Sequence, residues 1–169
     1  MSSGLEIERK FVIKKPDIKL ISSLGGFTES HITQTYLESE PQVTLRVRRR
    51  EYRDEVVYTE TAKRRVDYIS AEETEREITR SEYEEAVLNI KVGTKPVIKT
   101  RYTFSYGHRV YEIDVYPQWT ESCIMEAELQ SRDEPLEIPP FIEVIKEVTG
   151  DKSYSNASMS KVFPEEIRS

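Results

Sequence analysis

The sequence predicts an α+β fold: an eight-stranded antiparallel β-barrel with a charged interior, flanked by helices and followed by C-terminal ones. Three observations predict it. Charged residues recur two apart along strand after strand, with apolar residues between them, so each strand has one charged and one apolar face. The charges are also sorted by sign, as Glu6/Glu8, Arg46/Arg48, Lys99/Arg101, Glu112/Asp114 and Glu126/Glu128. Finally, there are enough strands to close a barrel, and closure turns the charged face inward. A solvated face on an open antiparallel sheet gives the same alternation. The sorting by sign favours the barrel, because a merely soluble face mixes its charges.

The elements follow in chain order. Residues 1–4 read as a lead-in. A strand over 5–14 puts Glu6, Glu8 and Lys10 on one side and Leu5, Ile7 and Phe11 on the other. Pro16-Asp17 starts a short helix to about residue 24, ended by Gly25-Gly26. Strands follow over 28–37, 43–52 and 55–65, the last two joined as a hairpin at Arg53-Asp54. Lys63 lies in the third of these strands, with Arg65 on its face. A strand over 73–79 carries Glu73, Glu75 and Glu77 on one face. Ser81-x-x-Glu84 reads as a capping box that begins a helix to about residue 91, closed by Gly93 and Pro96. Strands over 97–106 and 109–116 turn at Gly107-His108, and another covers 124–129. Pro139-Pro140 introduces a helix over 141–148, and a last short helix covers 155–162.

Composition sets the bounds. The 169 residues suffice for one domain spanning 1–169. Apolar residues make up 37% and charged residues 33%, a polar balance that suits a charged interior. A net charge of −6 gives no general attraction for nucleic acid or membranes, so an anionic ligand needs a local basic lining. Cys123 is the one cysteine, which fits a reducing cytoplasm. With only His31 and His108 there is no Cys/His cluster for zinc. No apolar run approaches membrane-spanning length, and no signal-peptide core is visible.

These pieces, taken in order, resemble the CYTH superfamily, the triphosphate tunnel metalloenzymes. The Glu-x-Glu-x-Lys signature stands as Glu6, Glu8 and Lys10. Behind it come Leu45-Arg46-Val47-Arg48, Lys63, the acidic strand around Glu75, Lys99-Thr100-Arg101-Tyr102, Glu112-Ile113-Asp114 and Glu126-Ala127-Glu128-Leu129. The segment from Glu147 to Asn156 is similar to the C-terminal motif of the bacterial branch. The fourth strand departs from the family's Lys-rich pattern, with Thr59-Glu60-Thr61-Ala62-Lys63-Arg64-Arg65. The resemblance implies an eight-stranded tunnel that acts on triphosphates. Members include inorganic triphosphatases, thiamine triphosphatases, RNA triphosphatases and class IV adenylate cyclases.

The residue types suit that chemistry. Lys10, Arg46, Arg48, Lys63, Lys99 and Arg101 would bind the phosphates, arginine with its two-pronged fork. Glu6, Glu8, Glu126 and Glu128, with Asp114, offer oxygen ligands that favour Mg²⁺ or Mn²⁺. The expected catalytic set is Glu6, Glu8, Lys10, Glu126 and Glu128. Glu75, Glu112, Lys152 and Tyr154 are further candidates. A salt bridge to a facing base is the competing role for Glu75, Glu77 and Glu112. Trp119, Phe11 and Phe104 are expected to pack the outside of the barrel.

The activity expected is metal-dependent hydrolysis of a small triphosphate, inorganic tripolyphosphate foremost, by a cytoplasmic monomer or homodimer that engages neither nucleic acid nor membrane. A class IV adenylate cyclase needs a purine pocket that no motif here marks. A thiamine triphosphatase needs an aromatic or acidic docking surface. A non-catalytic polyphosphate-binding module would keep the basic rows without the acid pairs.

Overall fold

The computed structural model describes residues 2–169. It consists of nine strands and three short helices: β1 (Ser2–Lys14), α1 (Ile18–Ser22), β2 (Thr28–Leu37), β3 (Val43–Tyr52), β4 (Glu55–Arg65), β5 (Ser70–Ile78), α2 (Arg80–Ala86), β6 (Val97–Tyr106), β7 (Arg109–Val115), β8 (Ser122–Glu128), β9 (Val144–Glu147) and α3 (Asn156–Met159). All pairings are antiparallel, in the order β5-β4-β3-β2-β6-β7-β8-β1-β9, and a β5–β1 pairing closes the first eight into a barrel.

β1 achieves closure by dividing its length. Its residues from Ser2 to Ile7 pair with β5, and those from Glu8 to Lys14 pair with β8. Where β5 ends, the same edge of β1 would carry unpaired backbone groups. β9 pairs there, against Phe11, Val12 and Ile13. This corrects the expected helix over 141–148. Only Pro139 to Ile142 turn, and the β-branched run Val144-Ile145 is recruited to the open edge. Ser2 to Gly4 are likewise paired strand rather than lead-in, while Met1 lies outside the described residues.

The hairpins sit where the sequence placed them. Gly107 and His108 both adopt positive φ, 56° and 63°, the double left-handed turn that matches strand twist. Arg53 takes φ 54° in the β3–β4 turn. α1 starts as expected, with Asp17 accepting from the Lys19 and Leu20 amides. The α2 capping box is Thr79 with Glu82, two residues upstream of the expected Ser81 and Glu84. The short final helix is reduced to a 3-10 turn, Lys152–Tyr154, and the four residues of α3.

Apolar residues form two layers. Outside the barrel, Phe11, Ile13, Phe104, Tyr111, Ile113, Met125 and Ala127 are buried beneath Ile21 of α1 and Ile142. A smaller outer cluster, Leu37, Val47 and Ile78, packs with Tyr83 of α2. The second layer is internal. Val12, Tyr36, Val97, Tyr116 and Ile124 share the inward face of their strands with the charged residues, and they meet Trp119, Tyr154 and Met159 to plug one end of the barrel. Trp119 therefore stops the tunnel rather than coating the outside, with its indole N–H donating to the Pro164 carbonyl at 2.9 Å.

Candidate active site

The remaining inward positions are the charged ones. Exposure shows which way the tunnel opens: along β7 it rises from Asp114 (2% of its side chain) to Glu112 (30%), and on β8 Glu126 is buried while Glu128 is exposed. The mouth lies at the Glu112/Glu128 end and the apolar plug at the other. The charged face is thus enclosed, which excludes the solvated open sheet.

Sheet order explains the sorting of charges by sign. In a barrel of eight, strands four steps apart face each other. β3, with Arg46 and Arg48, faces β8, with Glu126 and Glu128. β5, with Glu73 and Glu75, faces β6, with Lys99 and Arg101. β4, with Lys63, faces β7, with Glu112 and Asp114. Rows of one sign look across the tunnel at rows of the other.

The acidic wall is crowded. Glu8 is paired in register with Glu128, and Glu112 with Glu126, so carboxylates stand directly opposite carboxylates in adjoining ladders. Such like-charge pairs destabilise a sheet. Lys10 relieves one side, at 3.4 Å from Glu126, and Lys63 serves both Glu6 at 3.6 Å and Glu8 at 4.0 Å. Burial raises the Glu6 and Glu8 carboxyls above their ordinary range, helped by the neighbouring acids Glu73 and Glu6 respectively. Burial, then Glu112 and Glu126, raise Glu128. Among the described residues no three acidic, His or Cys side chains converge into a finished metal cage. Glu6, Glu8, Glu126 and Glu128 bring oxygen donors alone to this wall, the ligand type that hard divalent cations take.

The basic wall divides into two kinds of cation. Lys99 and Arg101 are neutralised from within: Asp114 accepts from Arg101 Nε at 2.7 Å and Nη2 at 2.8 Å, and from Lys99 Nζ at 2.8 Å, while Glu112 takes Arg101 Nη1 at 3.0 Å. Burial would raise Asp114, but Arg101 and then Lys99 hold it far below the carboxylate range. Burial pulls Lys99 down to about 7 against the attraction of Asp114. Arg46 and Arg48 differ, since among the described residues neither has a carboxylate partner. Arg46 Nε is buried with no hydrogen-bond acceptor. Arg48 bonds only the neutral Gln34, and burial, then Arg46 and Arg101, lower it to about 9.

The C-terminal segment forms the floor. Lys10 Nζ donates to the Tyr154 carbonyl at 3.2 Å, and Asn156 Oδ1 accepts from Lys99 Nζ at 3.3 Å and the Tyr116 hydroxyl at 2.9 Å. Tyr154 thus reaches the site by its backbone, its ring lying in the plug, while Lys152 is exposed on its 3-10 turn.

The fold therefore gathers Glu6, Glu8, Lys10, Arg46, Arg48, Lys63, Lys99, Arg101, Glu126 and Glu128 on the inward face of one barrel, with Glu75 separated from Arg46 by Thr61, from whose hydroxyl it accepts at 3.2 Å. Asp114, expected among the metal ligands, has both oxygens engaged by cations, and Glu112 is a salt-bridge partner of Arg101. Gln34, Tyr36 and Asn156 were not anticipated. Gln34-x-Tyr36 does continue the inward alternation of β2, but uncharged residues among threonines give no sorting by sign to follow.

Comparison with known proteins gives the same architecture. The solved inorganic triphosphatase NE1496 superposes with a TM-score of 0.60 at 26% identity, covering 95% of this chain and 97% of that one. The PH1819 protein from Pyrococcus horikoshii OT3 gives 0.59 at 19% identity over 76% and 80% of the two chains. A Bacillus halodurans protein assigned provisionally to the adenylate cyclases gives 0.52 at 20% identity over 78% and 83%. No curated protein matches the chain. The CYTH domain family model matches residues 4–139, and with the closed antiparallel barrel and its inward charge it places this chain in the CYTH domain family.

Proposed function

We propose that this protein hydrolyses a triphosphate, inorganic tripolyphosphate foremost, with Mg²⁺ or Mn²⁺ in the tunnel. One observation carries the reading: arginines without counter-ions on β3 face crowded carboxylates on β8 and β1. A polyanion answers the first and a hard cation the second, so a metal-bound triphosphate relieves both walls together. The name of the solved inorganic triphosphatase at 26% identity points the same way.

Arg46 and Arg48 would hold the phosphoryl oxygens as a pair of forks, with Lys10, Lys63, Lys99 and Arg101 lining the rest of the path. Glu6, Glu8, Glu126 and Glu128 would hold the metal, which when bound supplies charge neutralisation at the phosphoryl oxygens. Asp114 aims Lys99 and Arg101 and opposes the loss of the Lys99 proton that burial favours. Glu128 makes no side-chain ion pair among the described residues, and its raised affinity for protons suits it to orient a water and accept its proton. That water oxygen bonds to the terminal phosphorus as the bond to the bridging oxygen breaks, releasing orthophosphate and pyrophosphate. The proposal also takes residues 1–169 as a single domain working in the cytoplasm, as a monomer or homodimer. The net charge of −6 supports a small-molecule rather than a nucleic-acid partner.

The test offers tripolyphosphate, ATP and thiamine triphosphate with Mg²⁺ or Mn²⁺ and quantifies orthophosphate, pyrophosphate and cyclic AMP. Equimolar orthophosphate and pyrophosphate from tripolyphosphate are expected, abolished by chelator and restored by metal. Cyclic AMP from ATP would replace this reading with a cyclase, and tight binding without turnover would replace it with a binding module. Binding should also appear as heat stability. Tripolyphosphate with Ca²⁺ at 100 times its Kd is expected to add about 2.7 kcal/mol, well beyond sulfate at equal ionic strength. Equal shifts would argue against a specific site.

A further inference from the structure

Gln34 is fully buried on the inward face of β2, in register with Arg48 of β3. Its Oε1 accepts from Arg48 Nε at 3.1 Å and Nη2 at 2.9 Å, and its Nε2 donates to the Tyr36 hydroxyl at 3.1 Å. The amide thus grips one edge of the guanidinium and is itself fixed from behind. Among the described residues nothing engages the Nη1 corner of the fork. Elsewhere in the tunnel the same holding task falls to acids: Glu126 for Lys10, Glu6 for Lys63, and Asp114 for Lys99 and Arg101. Each of those acids also cancels charge. Gln34 supplies orientation without cancellation.

We propose that Gln34 is a positioning residue that aims the Arg48 fork at the anionic substrate and, being neutral, leaves the charge of Arg48 available to it. The inference rests on the triphosphate reading and deepens it. A fork already held in place loses less side-chain freedom when phosphate binds. An acid in the same place would act as a built-in competitor, giving Arg48 a carboxylate of the kind that Lys10, Lys63, Lys99 and Arg101 have. The neutral holder therefore marks the part of the basic wall reserved for substrate.

Glu and Met have nearly the length of Gln, which lets each half of the idea be tested. Gln34→Glu keeps the acceptor edge and adds charge. Gln34→Met keeps the volume and removes the bonds. KM and kcat for tripolyphosphate with Mg²⁺, calorimetric Kd for tripolyphosphate with Ca²⁺, and Tm are measured for both, with Arg48→Ala as the reference. Both Gln34 variants are expected to raise KM and Kd about tenfold, equivalent to ~1.4 kcal/mol, with the loss larger in KM than in kcat. Gln34→Glu should melt no lower than the parent, because its carboxylate pairs with Arg48. A packing role predicts instead that Gln34→Glu binds like the parent, and that result would overturn the neutrality argument. Parent-like Kd in Gln34→Met would overturn positioning. If Arg48→Ala also bound like the parent, the triphosphate reading of this wall would fail with it, whereas weakened Arg48→Ala beside parent-like Gln34 variants would sink the Gln34 inference alone.

Discussion

Asp114→Asn is expected to destabilise the protein by about 3–5 kcal/mol, because it removes the single anion shared by two buried cations. Lys99 and Asp114 are nearly inaccessible, and Arg101 keeps only 13% of its side chain exposed. The amide keeps the shape of the carboxylate and one acceptor but not the charge. Lys99 would then stand beside Arg101 with Asn156 as its remaining partner. At this chain length the loss corresponds to a fall in Tm on the order of 10 °C. Glu112→Gln is the control: among the described residues its carboxylate pairs with Arg101 alone, and it lies near the mouth with 30% of its side chain exposed, so the loss is expected to be smaller than for Asp114→Asn. The sign with pH follows from the depressed Asp114 carboxyl. Its stabilisation is complete above the ordinary aspartate range and is lost only as pH falls through its lowered folded value. Chemical denaturation of both variants at neutral pH is the measurement. Parent-like stability of Asp114→Asn would show that the buried triad contributes nothing.

The second large effect runs in opposite directions for activity and stability. Glu6→Gln and Glu8→Gln are each expected to lower metal-dependent turnover by about 100-fold, the upper range for disturbing a metal's surroundings. The metal-free variants are expected to be more stable than the parent at neutral pH. Burial raises both carboxyls above their unfolded values, so the native state holds protons that the unfolded state has released. Stability accordingly falls as pH rises from the ordinary glutamate range through the raised one, and the ionised groups oppose folding above it. A neutral glutamine removes that opposition, the trade-off expected where a site is arranged for a ligand rather than for the fold. Turnover and Tm across pH, in chelator and then in Mg²⁺, check both halves. Parent-like turnover in either variant would remove that residue from the metal set.

How much of this was legible in the sequence depends on the kind of signal. Period-two alternation with segregated signs carried the barrel, its inward face and the ten charged residues around the cavity, since side-chain direction in a strand is a local property. The signs themselves made sense only through strand order, which places β3 across from β8. Three features were beyond local reading. β9 is strand because β1 has a vacant edge there, a fact about β5's end rather than about Val144 or Ile145. The ion pairs of Asp114 depend on which cations its register brings alongside, and Glu-x-Asp reads the same with or without them. Trp119 lies in the plug because the inward face turns apolar at one end, through Val12 and Tyr116 among others, a change that the alternation of charge does not mark.

The apolar stopper of Trp119, Tyr116, Tyr154 and Met159 gives the cavity the form of a well with one door. Traffic in such a well is last in, first out. A phosphate chain longer than the well keeps its tail in solvent and presents only its leading end to the deep residues. Whatever is formed at depth must retreat along the path by which the substrate arrived. On the triphosphate proposal, the rows of charge near the rim would then set the pace of exit as well as of capture.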